Sequence, residues 1–392
     1  MVGHRLKQLR LARNLSLDAL AAEMGGIVTK QAISKYENGR AQPSPVVMTK
    51  LASVLGVKAA YFFHEPTISV EFIAYRRSPI LLKREEERIK GIVERALEDR
   101  VRLQELSGQL DESKIPIRDW HVDDLEDTEK AAEELRERWK LGLAPISNTC
   151  GTLEDHGLAV LAVEANERFD GISAIAYDDD RHVKAAATVT RRDIDGERQR
   201  LNLAHELGHI VLDISEKVDE EQAAFRFGAA FLAPRARIFD EVGKKRALIQ
   251  VAELLLLKRQ FGMSMQALVY RLHELGIITD SYYSRWWPLF DSYGWKTKEP
   301  EALPYEEPHW LRRTALRLLA EGLISRGDVE RMLGERIELE QPVSVVQRRA
   351  FLKLPLAKRR QILAEQAKRI AKHYEEDTEW RELQGGDLVE YE

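Results

Sequence analysis

Leu203-Ala204-His205-Glu206-Leu207-Gly208-His209-Ile210-Val211 is the stretch around which this chain is organised. His205 and His209 stand four apart, so on a helix they share one face and can grip one metal ion together. Glu206 lies between them, placed to reach a metal-bound water as general base without being a ligand. The flanking Leu203, Ala204, Leu207, Ile210 and Val211 are apolar and imply a buried helix. Two histidines and a carboxylate inside a core need compensation, and a metal ion provides it. A pair of hydrogen-bonded core histidines is the plainer alternative.

Downstream, Asp213 to Asp219 reads as a polar break. A second helix is expected from Asp219-Glu220-Glu221 to Leu232, stopped before Pro234. Glu221, Ala224, Phe225 and Gly228 fall on one face of it. Small residues at 224 and 228 allow a close helix crossing, which brings Glu221 to the histidines. Two histidines and a glutamate leave the fourth position of a tetrahedral zinc open, the catalytic arrangement. Glu220 is the alternative ligand but lies on a different face. As a bland alternative, Glu221 is a carboxylate favoured by the helix dipole.

Upstream, Leu158 to Val163, Ile172 to Tyr177 and His182 to Val189 read as strands of a small sheet. Asp178-Asp179-Asp180 is a solvated hairpin tip, since no EF-hand spacing follows. Residues 258–279 read as a helical flank, with a second DNA-binding module as the alternative. Trp286, Trp287 and Trp295 are expected to pack, rather than to form an aromatic substrate wall.

Residues 129–300 resemble the ImmA/IrrE-type metallopeptidases. The matching pieces are Glu154-Asp155-His156-Gly157-Leu158, Phe169-Asp170-Gly171, Arg200 through His209, Glu221-x-x-Ala224-x-x-Phe227, Phe231-Leu232-Ala233-Pro234, Met263 through Arg271, and Gly294-Trp295. The resemblance implies that His205, His209 and Glu221 bind the metal and that Glu206 is the catalytic carboxylate. Asp213 departs from the pattern, because many relatives place a histidine there. Tyr177, Arg198 and Arg200 are candidate oxyanion partners.

Residues 1–66 read as four helices. They are His4–Asn14, Leu17–Met24 capped by Ser16, Lys30–Glu37 capped by Thr29, and Val46–Leu55 ended by Gly56. A helix, a Gly25-Gly26 turn and a polar helix match the helix-turn-helix pattern. Residues 1–65 hold nine Lys or Arg against four Asp or Glu, a net +5 on a chain whose total is −5. Such a basic module suggests phosphate contact. Thr29, Lys30, Gln31, Ser34 and Lys35 form the outer face of the third helix, and Arg40 is a candidate phosphate clamp. Gln31 through Arg40, Pro43 and Leu51 through Leu55 resemble the Xre/Cro-type helix-turn-helix family. A helical bundle that binds protein is the alternative.

Between these bodies, residues 67–128 form a mostly helical connector. Thr67 to Ala74 favours one strand, and Arg76-Arg77-Ser78-Pro79 punctuates it. Lys83 to Leu110 is a charged helix with a narrow apolar stripe, Ile89, Val93, Leu97, Val101 and Leu106. It suits a solvated spacer or a dimer-forming arm. Thr128 to Lys140 is a further amphipathic helix.

Residues 301–341 read as a helical linker region that begins with an acidic, proline-bounded stretch, Glu301 to Pro308. Residues 342–392 combine an amphipathic helix, Pro355 to Tyr374, with an acidic tail. Phe351 through Pro355, Ala364 through Ala367, His373-Tyr374 and Asp377 through Trp380 are similar to short bacterial antitoxins. That resemblance implies a toxin partner.

With 392 residues, several domains are expected. The fold class is multidomain and mainly α: an all-α helix-turn-helix domain, an α+β zincin-like domain with a small sheet, and a helical C-terminal region. Cys150, the single cysteine, excludes an intrachain disulfide and a thiolate zinc cluster. No apolar run of membrane-spanning length occurs, so a cytoplasmic protein without a membrane partner is expected.

Two functions compete. The first is a DNA-binding transcriptional regulator with a zinc endopeptidase (Mn2+ being the alternative metal). The resemblance to ImmA/IrrE-type metallopeptidases implies that it would cut a regulatory protein such as a repressor, with its own linker as a further target. The second is a transcriptional repressor or antitoxin whose peptidase fold only binds or senses. A homodimer on double-stranded operator DNA suits both. Glu206, which a structural metal site would not need, favours the first.

Overall fold

The computed structural model describes residues 2–63, 67–73, 83–108, 115–337 and 351–376. They divide between two units, Met1–Glu335 and Arg336–Glu392. The first unit opens with α1 (Val2–Ala12), α2 (Leu17–Glu23), α3 (Lys30–Glu37) and α4 (Pro45–Leu55). Ser16, Thr29 and Ser44 accept the N–H groups of Ala19, Ala32 and Val47, so three helix starts are capped by side chains. Leu6, Leu9, Leu20, Met24, Ile33, Leu51 and Phe62 close one core. Helix α1 starts before the expected His4, at Val2. Gly3 lies there against the carbonyls of Tyr36 and Glu37, where any side chain would collide.

Much of the basic charge of α1 faces inward, against α5 (Lys83–Ser107). Arg5 pairs with Glu98 at 2.6 Å and Lys7 with Glu87 at 3.2 Å. Gln8 donates to Glu94 at 3.1 Å. Arg10 pairs with Glu37 inside the four-helix body at 2.6 Å. Part of the net +5 is therefore used within the protein and is not available for phosphate contact. Arg5, Lys7 and Arg10 are matched by carboxylates, while Lys35 and Arg40 stay exposed.

The other face of α5 carries the apolar stripe, and it too is covered. Ile89, Val93, Leu97 and Val101 share a core with Ile172, Ala174, Ala187 and Val189 of a sheet and with Phe169 just before it. The stripe therefore serves neither solvent nor a second copy. Leu106, 38% exposed, lies outside that core.

Six strands occur among the described residues: β1 (Ser69–Ile73), β2 (Trp120–Val122), β3 (Leu158–Val163), β4 (Gly171–Tyr177), β5 (Val183–Arg191) and β6 (Leu212–Ile214). Four form a mixed sheet of order β1-β4-β5-β3, with only β3 and β5 parallel. The strand expected in the connector is thus an edge of this sheet. Alternation splits β4 between two layers. Ile172, Ala174 and Ala176 join the α5 core, and Ile175 joins the core on the opposite side. Strands β2 and β6 pair in parallel, so the polar break expected at Asp213 begins inside a strand.

Among the described residues, ten helices follow α5 in this unit: α6 (Leu125–Arg138), α7 (Thr149–Asp155), α8 (Gly196–Val211), α9 (Glu220–Leu232), α10 (Arg235–Val242), α11 (Val251–Phe261), α12 (Met265–Glu274), α13 (Asp280–Ser292), α14 (Trp310–Ala320) and α15 (Arg326–Leu333). Leu203, Leu207, Phe227, Phe231, Phe261 and Leu268 anchor their main core. Residues 258–279 are therefore a flank of this core, not a separate module. Inside it, Arg271 is fully buried and pairs with Glu129 at 2.7 Å.

The stretch 301–308 does not behave as a linker. Leu303 accepts the N–H of Gly196 at 3.0 Å, and Gln199 exchanges two hydrogen bonds with the backbone of Glu306. The Glu306 carboxylate accepts from Arg200 and from the N–H of Cys150. Buried Glu154 then accepts the N–H groups of His309 and Trp310 at 3.0 Å, holding the start of α14. Arg331 of α15 pairs with Asp99 of α5 at 2.9 Å. These polar partners could not be paired from local spacing.

In the second unit, α16 (Leu356–Glu376) presents exposed Leu356 and Leu363. Arg76 to Pro79, the ends of the connector helix at 109–110, and the acidic tail from 377 lie outside the described residues. No described helix is long and apolar enough to cross a membrane.

Candidate functional site

Helices α8 and α9 cross at glycines. A Cβ at Gly228 would lie 2.9 Å from the backbone nitrogen of His205. One at Gly208 would lie 3.2 Å from the Cα of Ala224. The absence of those two side chains lets the helix backbones meet. The first turn of α9 then delivers Glu221 to the two histidines. His205 Nε2 and His209 Nε2 are 3.1 Å apart. Glu221 oxygens lie 3.3 Å from the first and 3.6 Å from the second.

This donor set suits a cation. Ligands at about 2.0–2.1 Å around a tetrahedral ion are separated by about 3.3–3.4 Å, close to the observed edges. His205 Nδ1 is buried without a hydrogen-bond partner, and His209 Nδ1 faces a carboxylate outside the convergent set. Glu220 Oε1 stands 3.3 Å from His209 Nδ1, at ion-pair distance behind the ring and away from the convergent atoms. Burial opposes a positive charge on His209, but Glu220, Glu206 and Glu221 outweigh it and raise its pKa. The same field favours a bound cation. Among the described residues, His205, His209 and Glu221 are the group of this kind whose ligand atoms converge.

Glu206 is buried beneath β4. Ser173 Oγ is within hydrogen-bond reach of its carboxylate and of its carbonyl oxygen. Gly171 touches the other side of the carboxylate, and a Cβ there would collide with Glu206 Oε1. Burial raises the Glu206 pKa, with the neighbouring histidines and the Ser173 hydroxyl pulling the other way. Sequence reasoning assigned no role to Gly171 or Ser173. The only signal was Phe169-Asp170-Gly171 as part of a resemblance, and contact with Glu206 arises from sheet register.

His205, Glu206 and Glu221 open onto a cleft of about 1290 Å³. Phe225, Tyr270, Trp287 and Trp295 also line it. The three tryptophans pack as expected: Trp286 is buried in the core, and Trp287 and Trp295 pack against it while also lining the cleft. Of the three oxyanion candidates, only Arg198 lines the cleft, paired with Asp170 at 2.6 Å. Arg200 is tied to Ile146, Ser147 and Glu306. Tyr177 sits at the far end of β4, with Arg181 over its ring at 4.2 Å. Asp213 accepts from or shares a proton with His121 Nδ1 at 2.8 Å across the β2–β6 pair.

In the N-terminal helices, Ile33 of α3 is buried and Gln31, Lys35 and Arg40 are exposed. Thr29 caps α3, Lys30 pairs with Asp18 at 3.2 Å, and the Ser34 carbonyl accepts from Asn38 at 2.8 Å. The six positions named from the sequence therefore lie along one helix and the turn that ends it.

Comparison with known proteins agrees with both bodies. A family model described as helix-turn-helix matches residues 6–62. A model described as IrrE N-terminal-like domain matches residues 192–273, which takes in α8, α9 and most of α12. The SPbeta prophage-derived uncharacterized HTH-type transcriptional regulator YonR of Bacillus subtilis (strain 168) is 38% identical over 61 residues. That match covers 16% of this chain and 55% of the relative, so the chain spans about half the length of that protein. The chain thus joins an Xre-type helix-turn-helix domain to an IrrE-like domain of the metallopeptidase type.

Proposed function

We propose that this chain is a DNA-binding transcriptional regulator whose zinc-dependent endopeptidase domain cleaves a regulatory protein, with a repressor as the leading class. Glu206 carries the reading. It is a buried carboxylate beside a convergent His205, His209 and Glu221 set, and it faces an open cleft. A purely structural metal site needs no such extra carboxylate.

In this reading His205 Nε2, His209 Nε2 and the Glu221 carboxylate hold the metal. A zinc ion, when bound, polarises a peptide carbonyl and makes water acidic enough to ionise near neutral pH. Glu206 accepts a proton on a carboxylate oxygen and later passes it to the leaving amine. Ser173 keeps that carboxylate aimed. On DNA, Gln31 suits an adenine edge, Lys35 a guanine edge or phosphate, and Arg40 a phosphate. Thr29, Lys30 and Ser34 complete that face.

The test is metal analysis of the full chain, followed by cleavage of a quenched-fluorescent peptide library. Wild type and Glu206→Gln should each hold about one zinc. Cleavage by the variant should fall at least about 10²-fold. Zinc-loaded wild type that cleaves no peptide overturns the enzyme reading and leaves a regulator whose peptidase-like domain binds or senses. With DNA from upstream of its own gene, Lys35→Ala and Arg40→Ala should each weaken binding and reduce the salt slope by about one. Unchanged binding overturns the placement of α3 on DNA.

A further inference from the structure

Phe225 and Tyr270 are large aromatic side chains that remain 44% and 40% exposed. Both line the same cleft as His205 and Glu221. Exposed rings are ordinary when scattered singly, but rings gathered at a concave site mark a place where apolar surface is to be covered. Trp287 and Trp295 extend this surface.

The location of Phe225 relative to the metal-type group is close. It follows Glu221 by four residues on α9, so it occupies the same helix face about one turn, or about 5.4 Å, further along. Its ring centroid is 4.3 Å from that of His205. A spacing of about one helical turn, about 5.4 Å, is spanned by one to two extended residues at about 3.3–3.6 Å each.

The remaining rings are braced from behind. Tyr283 meets Tyr270 at 6.4 Å and Trp287 edge-on at 5.4 Å. Phe290 lies 5.7 Å from Trp287 and 6.4 Å from Trp295. Tyr293 stacks on Trp295 at 4.7 Å. Rings held by other rings lose little freedom on binding, which favours selective recognition.

We infer that Phe225, with Tyr270, Trp287 and Trp295, forms the specificity wall of the cleft, and that the preferred substrate is a polypeptide segment with a large apolar side chain, aromatic or leucine-like, flanking the cleaved bond. This rests on the peptidase reading above and adds the substrate class to it. Phe225 and Tyr270 hold the side chain, and Trp287 and Trp295 close the far side. Acidic or small residues at that position leave the wall uncovered and are poor substrates.

The experiment uses quenched-fluorescent peptides identical except for Phe, Leu, Ala or Asp next to the cleaved bond. Wild type should favour Phe and Leu over Ala by about 10- to 100-fold in kcat/KM, the scale set by apolar pockets. Phe225→Ala and Tyr270→Ala should collapse this ratio, and Phe225→Leu should retain most of it. A ratio near one in wild type, or a ratio that the alanine variants leave unchanged, overturns the inference.

Binding of the same peptides to zinc-loaded Glu206→Gln, followed by tryptophan fluorescence and calorimetry, separates the two readings. Tighter binding of the Phe peptide than of the Ala peptide supports the wall even if wild type cleaves neither, an outcome that would overturn only the peptidase reading. Equal binding of both, beside measurable cleavage by wild type, overturns the wall and leaves the peptidase reading standing.

Discussion

Position 171 admits only a hydrogen atom, because a Cβ would run into the Glu206 carboxylate and stand 2.9 Å from the Val189 carbonyl. Ser173, two residues on along β4, touches that carboxylate from the same strand. Together they hold Glu206 from above while α8 holds it from below. Ser173→Ala removes the hydroxyl and leaves the ring of metal-type ligands untouched. The expected result is a kcat lower by about tenfold, with KM and zinc content within about twofold of wild type, since orientation of a reacting group acts on the chemical step. Steady-state kinetics with parallel metal analysis reads this; a matching loss of zinc would show that Ser173 supports the ligands instead. The histidine pair itself was legible in the sequence, because an i, i+4 spacing needs nothing beyond one helix. Ser173 was not legible, because its contact with Glu206 spans 33 residues and depends on how β4 lies over α8.

Among the elements, the α8–α9 crossing decides whether Glu221 reaches the histidines at all. Gly228→Ala places a methyl 2.9 Å from the His205 backbone, which cannot yield as a flexible side chain would. The crossing must widen, so stability should fall by about 1–3 kcal/mol and zinc affinity by about 10–100-fold. Competition with a fluorescent chelator measures the affinity, and an unchanged value would mean that α9 can shift without moving Glu221. A second junction joins α6 to α12 through Glu129 and Arg271, both fully within the core. Burial alone would raise the Glu129 pKa, but Arg271 and its neighbours hold it below the usual 4.5. A depressed carboxylate contributes stability above its unfolded pKa, and that contribution is lost as pH falls through the lower folded value. Wild type should therefore lose this contribution only below about pH 4.5. Arg271→Met leaves buried Glu129 with the weaker Arg235 contact at 3.7 Å, so it should be destabilised by about 3 kcal/mol at pH 7, and the deficit should shrink at pH 4. Urea melts at the two pH values decide it; a deficit independent of pH would assign the effect to packing. The glycines at 208 and 228 hinted at the crossing in advance, whereas the pairing of residues 129 and 271 had no local signature.

At the scale of the whole first unit, α5 is the shared support. The helix-turn-helix body rests on one side of it through Arg5, Lys7 and Gln8, and the sheet that carries Gly171 and Ser173 covers the other. Strand β1, reached directly from the helix-turn-helix, pairs along β4 from Ser69 to Ile73. The two domains are thereby built onto one another. Arg5→Glu should loosen the N-terminal body and increase hydrogen exchange in α1, as should Glu98→Arg, while the double variant should recover part of the protection. Additive losses would mean that the 2.6 Å pair contributes no coupling. The sequence by itself determined the capped helices, the strand at Leu158–Val163, the face shared by His205 and His209, and the exposed face of α3. Each of these follows from side-chain spacing or a cap within one element, where neighbouring residues alone set the outcome. Only the tertiary structure decided that the α5 stripe lies under the sheet, that residues 301–308 clamp α8, that Ser173 and Gly171 hold Glu206, and that Trp287 and Trp295 line the cleft. An apolar stripe or a carboxylate specifies that it must be covered or paired, and which distant element supplies the partner depends on how the whole chain packs.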